Sequence, residues 1–134
     1  MDMNITCYEA GVSNLTGMRK MYYNPVSSAG HSIVEGFNGF DKTIEIFTIA
    51  LNDFIAKPVD LIKVDAEGAA LEVLQGADRV MPLITSWIIE VHDRVSSSTI
   101  FKWKTENREQ ILSLLSESGY KIRPLGKRHV YAYR

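Results

Sequence analysis

The chain is predicted to fold as an α/β domain whose sheet is mostly parallel and has an antiparallel edge. Strand and helix patterns alternate from residue 59 to residue 123, which is the order that produces parallel strands. Residues 59–64 (VDLIKV) form a β-branched, apolar run of the kind that a buried strand needs. Two further strand patterns, at residues 120–123 and 129–133, are close enough in sequence to pair as an antiparallel edge.

Length and composition are those of one globular domain. The chain has 134 residues, of which 46% are hydrophobic and 23% charged, and its net charge is -1. This balance does not favour a nucleic acid or an anionic membrane as partner. The one cysteine, Cys7, excludes an internal disulfide and argues against a thiolate metal site. No signal peptide or membrane-spanning stretch is recognisable, so we expect a cytoplasmic protein.

The first part of the chain is predicted to contain a hairpin and a long loop. Residues 5–12 have the composition of a strand, and a turn that ends at Gly17 leads into a second strand at residues 18–23. Residues 24–40 are rich in Pro, Ser, Gly and Asn. Loops of this length are usually functional or mobile.

The remaining elements alternate in type. They are a strand at 42–49, a short helix at 51–56, a helix at 69–74, a strand at 87–91 and an amphipathic helix at 106–118. The last helix has one apolar stripe, made of Ile111, Leu112, Leu114 and Leu115. Gly76 and Gly119 are placed where helix C-caps are expected. A turn at Pro124-Leu125-Gly126 is expected to join the last two strands.

Acidic and imidazole side chains are expected at the carboxyl ends of two strands. Asp65 and Glu67 follow the strand at 59–64, and Glu90 and His92 lie at the end of the next strand. Ligands bind open α/β sheets outside the carboxyl ends of the strands. If the two strands are neighbours, these side chains face one crevice. Such a cluster can accept a substrate proton, orient a hydroxyl nucleophile or hold a cation.

Each of these residues also has a simpler interpretation. Asp65 can cap the following helix, and Glu67 can be an acid in its first turn. His92 can be an ordinary surface residue, which is the favoured interpretation for it. Glu90 lies within an apolar strand, where an unpaired charge is costly, so a functional or ion-paired role is favoured. No ligand spacing is diagnostic of a metal, and no metal site is assigned.

Several linked motifs resemble the FkbM family of methyltransferases. The chain has a KVDAEG run at residues 63–68, a VLQGA helix end at 73–77 and a Glu90-bearing strand, IIEVH, at 88–92. Upstream, residues 10–14 (AGVSN) resemble that family's third strand and hairpin, and residues 27–32 resemble its serine-rich loop. The resemblance covers nearly the whole chain and is most specific over residues 51–92.

The resemblance implies a Rossmann-like domain that uses S-adenosylmethionine to methylate an oxygen, often a hydroxyl of a sugar or small natural product. On this interpretation Asp65 lies near the methyl donor and the acceptor, and Glu67 positions the acceptor or the loop. Glu90 and His92 would line the same crevice.

His31 and Ser32 of the serine-rich loop would close over this crevice and contact cofactor or substrate. Two departures from the family pattern matter. Ala70 stands where the family usually has a second glutamate. In addition, the chain has no glycine-rich turn between a strand and a helix, where backbone can approach a cofactor. This argues against binding of S-adenosylmethionine by this chain alone.

Residues 5–12 are therefore interpreted as the family's third strand, so the chain is expected to lack the first two strands of the sheet. Glu9 as the ribose-binding acid of a second strand is the less favoured alternative. Without the first strand, residues 59–64 have an unpaired apolar edge, and such edges recruit partners. We expect either a homodimer that pairs across this edge or a rearranged sheet in which residues 5–12 fill the gap.

Three functions are compared. The first is an S-adenosylmethionine-dependent O-methyltransferase that acts on a small-molecule acceptor. The second is a non-catalytic remnant of that fold, which forms a dimeric binding or structural module. The third and least favoured is a metal-assisted hydrolase built on Asp65, Glu67, Glu90 and His92.

Overall fold

The strands of the protein form two separate sheets. The computed structural model describes residues 3–92 and 108–134. The first sheet contains β1 (Gly11–Val12), β2 (Gly17–Tyr22) and β3 (Thr43–Ile49), in the order β1-β3-β2. The second contains β4 (Val59–Val64), β5 (Ile84–Glu90), β6 (Lys121–Leu125) and β7 (His129–Tyr133), in the order β4-β5-β7-β6. The helices among the described residues are α1 (Leu51–Phe54), α2 (Ala70–Gln75) and α3 (Arg108–Glu117), and a short 3-10 helix, Met81–Leu83, precedes β5.

The mixed α/β class is confirmed, but the prediction of a mostly parallel sheet is wrong. Among the described pairings, β4 with β5 and β1 with β3 are parallel, and the other three are antiparallel. The cause is local connectivity. The two last strands form a hairpin that lies antiparallel on β5, and β2 lies antiparallel on β3.

The predicted strand at residues 5–12 is limited to its last two residues. Residues 3–9 are exposed and have no regular structure, so their strand-like composition is not supported by burial. The predicted hairpin is also wrong. Gly11 pairs in parallel with Thr48 of β3, and β2 takes the antiparallel position on the other edge of β3. β3 therefore lies between the two segments that were expected to pair with each other.

The expectation that residues 5–12 fill the gap beside β4 is wrong as well. In the described parts of the chain, β4 pairs with β5 and with no other strand. β1 pairs with β3 instead, so a cleft separates the first sheet from the outer edge of β4. Leu61, in the middle of β4, is 49% exposed.

The hydrophobic core lies between the second sheet and helices α2 and α3. Trp87 and Ile89 of β5 are fully buried, as are Ile111 and Leu115 of α3. Leu112 and Leu114, the rest of the predicted stripe, are partly buried against the same core. The stripe is therefore confirmed, with the two positions four residues apart at its centre.

Gly76 lies where α2 packs against the first sheet. It is the C-cap of α2, as predicted, but its φ of −73° is helical rather than left-handed. Its small size is required by packing, because a Cβ here would overlap the backbone carbonyl of Ser13. Nearby, Arg19 of β2 and Glu72 of α2 form an ion pair at 3.0 Å. These contacts attach the first sheet to α2.

The turn between the last two strands lies later than predicted. Pro124 and Leu125 belong to β6, and the turn begins at Gly126, whose φ is +66°. Proline is tolerated in β6 because β6 is at the edge of its sheet, where one side of the backbone needs no hydrogen-bond partner.

The helix predicted at residues 106–118 begins outside the described residues, so its start at residue 106 stays a prediction. The predicted loop at residues 24–40 contains turns and bends, with a single bridge between Tyr22 and Ser32. None of the described helices is long and apolar enough to cross a membrane.

Candidate functional site

The pairing of β4 with β5 brings the predicted site residues to one edge of the second sheet. The strands are parallel, and Val64 is aligned with Ile89. Asp65 and Glu90 are the next residues of the two chain segments, so they lie side by side at the carboxyl edge. His92 follows two residues later. The two strands are therefore neighbours, as the predicted crevice requires.

The structure does not support the capping roles of Asp65 and Glu67. Helix α2 begins at Ala70, and its N-cap residue, Ala69, makes no side-chain hydrogen bond. The acid in the first turn is Glu72, which pairs with Arg19 away from this edge. The carboxylates of Asp65 and Glu67 are therefore left at the rim of β4.

The turn after β4 has an unusual backbone. Glu67 has a φ of +42° and Gly68 a φ of +92°, so both are in the left-handed region. This conformation is unfavourable for a residue with a side chain. Ser32 stabilises the turn from the loop, because its hydroxyl donates a hydrogen bond of 2.6 Å to the carbonyl of Glu67. A Cβ at Gly68 would overlap the ring of Phe37, so the loop lies directly on the turn.

Two ion pairs hold the carboxylates that follow β4. The Asp65 carboxylate lies 3.2 Å from the ammonium of Lys63. The Glu67 carboxylate lies 3.8 Å from Nε2 of His92. The His92 ring packs edge-on against buried Phe37, with 5.4 Å between the ring centroids. The predicted residues Glu67 and His92 are thus in direct contact, supported by an aromatic side chain.

Glu90 is the most enclosed of the three carboxylates at this edge. It contacts two basic residues that the sequence interpretation missed. Its side chain is 17% exposed. One carboxylate oxygen lies 3.6 Å from Nε2 of His129, the first residue of β7, and the other lies 4.0 Å from the guanidinium of Arg128. The pairing of β5 with β7 sets Glu90 opposite His129. The signal that could have identified His129 is its place at the start of a strand, but only a known strand order would have shown its partner.

Asp65 and Glu67 ionise differently because their surroundings differ. Burial alone would raise the pKa of Asp65, but the hydrogen bond and the charge of Lys63 outweigh it, so its pKa is lowered. Burial raises the pKa of Glu67; the charge of His92 opposes this, and the charges of Asp65 and Glu90 add to it. The edge therefore offers one carboxylate that ionises readily and one that holds a proton more tightly, a combination found at acid–base sites.

An apolar cleft of about 330 Å³ opens beside this edge, between the first sheet and β4. His31, Ser32, Asp65 and Glu67 line it, so the predicted loop residues and the predicted acids face one cavity. His31 is held there by Nδ1, which accepts a hydrogen bond of 3.0 Å from the backbone of Asn24. The other lining side chains are mostly aliphatic: Val12, Met21, Ile33, Ile46, Leu51, Ile62, Val64, Ala69 and Val73.

The protein is of the mixed α/β class, and a mostly apolar cleft with a few convergent polar groups is typical of small-molecule sites, so the cleft and this edge form the candidate site. The family model of the methyltransferase FkbM domain matches residues 2–122. The chain therefore belongs to the FkbM methyltransferase family, and the predicted resemblance is confirmed. No curated protein and no solved structure gives a significant match to the chain. Membership of a methyltransferase family implies S-adenosylmethionine as the methyl donor.

The substitution Glu67→Gln tests the electrostatics of this edge. Because the pKa of Glu67 is raised, the folded state holds the proton more tightly than the unfolded state does. Its contribution to stability is present at low pH and is lost as the pH rises through the raised pKa. We expect the free energy of unfolding of the wild type, minus that of the variant, to fall as the pH rises above the ordinary pKa of a glutamate, about 4.3.

Urea unfolding at a series of pH values measures this difference. Glu45→Gln, which removes an exposed carboxylate from β3, is the control for the loss of a surface charge and should show no such fall. A difference for Glu67→Gln that rises with pH would contradict the assignment.

Proposed function

We propose that the chain is an S-adenosylmethionine-dependent O-methyltransferase domain that transfers a methyl group to a hydroxyl of a sugar or small natural product. The observation that carries this proposal is the group of carboxylates and imidazoles at the carboxyl edge of β4 and β5, beside an apolar cleft. That edge lies within the part of the chain that the family model matches.

We include a Rossmann-like architecture in the proposal. The two sheets would correspond to two parts of the single sheet of that architecture. Strand β4 is parallel to β5, and the β6–β7 hairpin forms the antiparallel edge that was expected. The short β1 is parallel to β3 in the first sheet. The cleft then corresponds to the position of the first two strands of the family sheet, which the described residues do not supply.

The residues of the cleft fit a methyl donor that is cationic and partly apolar. Ile62, Val64 and Val73 provide apolar walls, and Asp65 and Glu67 place negative charge at one end. S-adenosylmethionine has a positively charged sulfonium group and, when bound, supplies an electrophilic methyl group. The aliphatic walls would pack against the donor, and the carboxylates would face its positive charge.

The acceptor hydroxyl needs a group that takes its proton. The Glu67 carboxylate is suited to this task, because a raised pKa makes it a stronger base than an ordinary carboxylate. His92, 3.8 Å away, positions Glu67, and Phe37 holds the imidazole. Asp65, whose pKa is lowered, stays ionised and faces the donor. The loop around Ser32 contacts the turn that carries Glu67.

A non-catalytic binding module is the second candidate, and one observation favours it. No glycine-rich turn between a strand and a helix lines the cleft in the described residues. A methyltransferase of this kind would anchor its donor on such a turn. A metal-assisted hydrolase is not proposed, because the chain belongs to a methyltransferase family.

Titration calorimetry of the full chain with S-adenosylmethionine separates the two candidates. We expect saturable binding that Asp65→Asn weakens about tenfold or more, because a carboxylate facing a cationic donor is lost. Asp60→Asn is the matched control, since Asp60 is an exposed acid on the same strand and should leave affinity unchanged. No binding at about millimolar donor would contradict catalysis by this chain alone and favour the binding module.

For the binding module, the second candidate, we propose that two copies of the chain pair along the outer edge of β4, which would fill the cleft and exclude the donor. β4 has one partner among the described strands, and Leu61 is half exposed there. Light scattering after size exclusion should give twice the chain mass, and Leu61→Lys should shift the protein to monomer, because a charge on an edge strand opposes pairing. Met18→Lys, at an exposed apolar residue of the first sheet, is the control. A monomer at high concentration would contradict the pairing.

A further inference from the structure

Three side chains at the carboxyl ends of β4 and β5 lie close to one another. An oxygen of Asp65, an oxygen of Glu90 and a ring nitrogen of His92 all lie within 4.8 Å of one another. Asp65 directly follows β4, Glu90 is the last residue of β5, and His92 comes two residues later. Since β4 and β5 are hydrogen-bonded neighbours, the backbone that carries these groups is well fixed. Glu90 therefore belongs to the sheet, and Asp65 and His92 lie one and two residues beyond the ends of its strands.

We propose that Asp65, Glu90 and His92 bind one divalent transition-metal ion, of the type of Mn²⁺ or Zn²⁺. Two carboxylates with an imidazole suit these ions better than Mg²⁺ or Ca²⁺, which prefer ligands that are all oxygen. Two ligands about 2.1 Å from one ion and at right angles to each other are about 3 Å apart. The side chains must therefore move closer by an ångström or two, and Asp65, whose side chain is 44% exposed, has room to do so.

The charges around the three ligands also favour a cation. Glu90 is mostly enclosed, yet its described contacts with cationic groups, at 3.6 Å and 4.0 Å, are longer than hydrogen bonds. Glu90 also shares a hydrogen bond with Asp65, and two carboxylates in contact repel each other unless a proton or a cation lies between them. Lys63 and Arg128 are more than half exposed, so water screens much of their charge. A divalent ion beside Glu90 would supply the missing positive charge.

Two further side chains contact the proposed metal ligands. Glu67 contacts His92 from the turn after β4, and His129 contacts Glu90 from β7. Such outer partners orient the ligands of a metal. With three protein ligands the ion keeps positions open for water or a hydroxyl oxygen. Metal binding does not depend on methyl transfer, so it can be tested without the donor and without an acceptor.

The test is a titration of the full, chelator-treated chain with Mn²⁺. Binding is measured by calorimetry and by the loss of the electron paramagnetic resonance signal of the free ion. We expect one ion per chain. Asp65→Asn and Glu90→Gln should each weaken binding by about tenfold or more. Glu45→Gln, which removes an exposed acid from β3, is the matched control and should bind as the wild type does.

A second measurement uses the wild type, so that the test does not depend on variants that fail to fold. In the wild type, bound Mn²⁺ should broaden the backbone amide resonances of residues 65, 90 and 92 more strongly than that of residue 45. His92→Gln should lower the affinity for Zn²⁺ more than that for Mg²⁺, since only the former favours imidazole.

Three outcomes would overturn the site. They are no saturable binding at about millimolar Mn²⁺, equal binding by Glu90→Gln and the wild type, and broadening that is strongest at residues away from this edge. Because S-adenosylmethionine is absent from these titrations, failure of the metal site and failure of the proposed methyl transfer are distinguishable.

Discussion

The parallel pairing of β4 with β5 is the constraint on which the rest of the site depends. Val64 and Ile89 are aligned and buried on the core face, and full burial of such a side chain contributes about 1.5–3 kcal/mol. A slip by one residue would turn these apolar side chains out of the core. The same register sets Asp65 beside Glu90. Hydrophobic burial inside the domain therefore holds two carboxylates together at its rim, although like charges repel.

A second set of contacts determines what lies next to that rim. The first sheet contacts α2 at Gly76 and through the ion pair of Arg19 with Glu72. Its loop contacts the turn after β4 through the hydrogen bond from Ser32 to Glu67. These contacts place one wall of the apolar cleft opposite the edge of β4. The cleft thus exists because two sheets are joined by a few specific contacts and not by continuous strand pairing.

Strong local patterns in the sequence predicted the individual strands and helices around the second sheet well. The apolar run of β4, the helix α2 that ends at Gly76 and the acids after β4 are found where expected. These elements are buried, so the pattern of their side chains reflects the core. The apolar composition of residues 5–10 had no such cause, since residues 3–9 remain exposed. Pro124 was misplaced because an edge strand accepts a residue that a turn also favours.

Contacts and strand pairings between residues that are far apart in the sequence could not be predicted from local patterns. The contact of Glu90 with His129 depends on the position of β7 between β5 and β6. The separation into two sheets depends on which edge of β3 each neighbour takes. Neither relation has a local signature, because strand partners are chosen by the packing of the whole domain. The family resemblance, carried by motifs at residues 63–68 and 73–77, was confirmed over residues 2–122.

The central claim is that the cleft and the carboxyl edge of β4 and β5 form one site for the methyl donor. Backbone resonances of the ¹⁵N-labelled chain, followed as S-adenosylmethionine is added, test it most directly. The account predicts shifts on both sides of the cleft, at His31 and Ser32 in the loop and at residues 64–68 after β4. Shifts confined to one sheet or to surfaces away from the cleft, or no shifts at a saturating donor concentration, would contradict it.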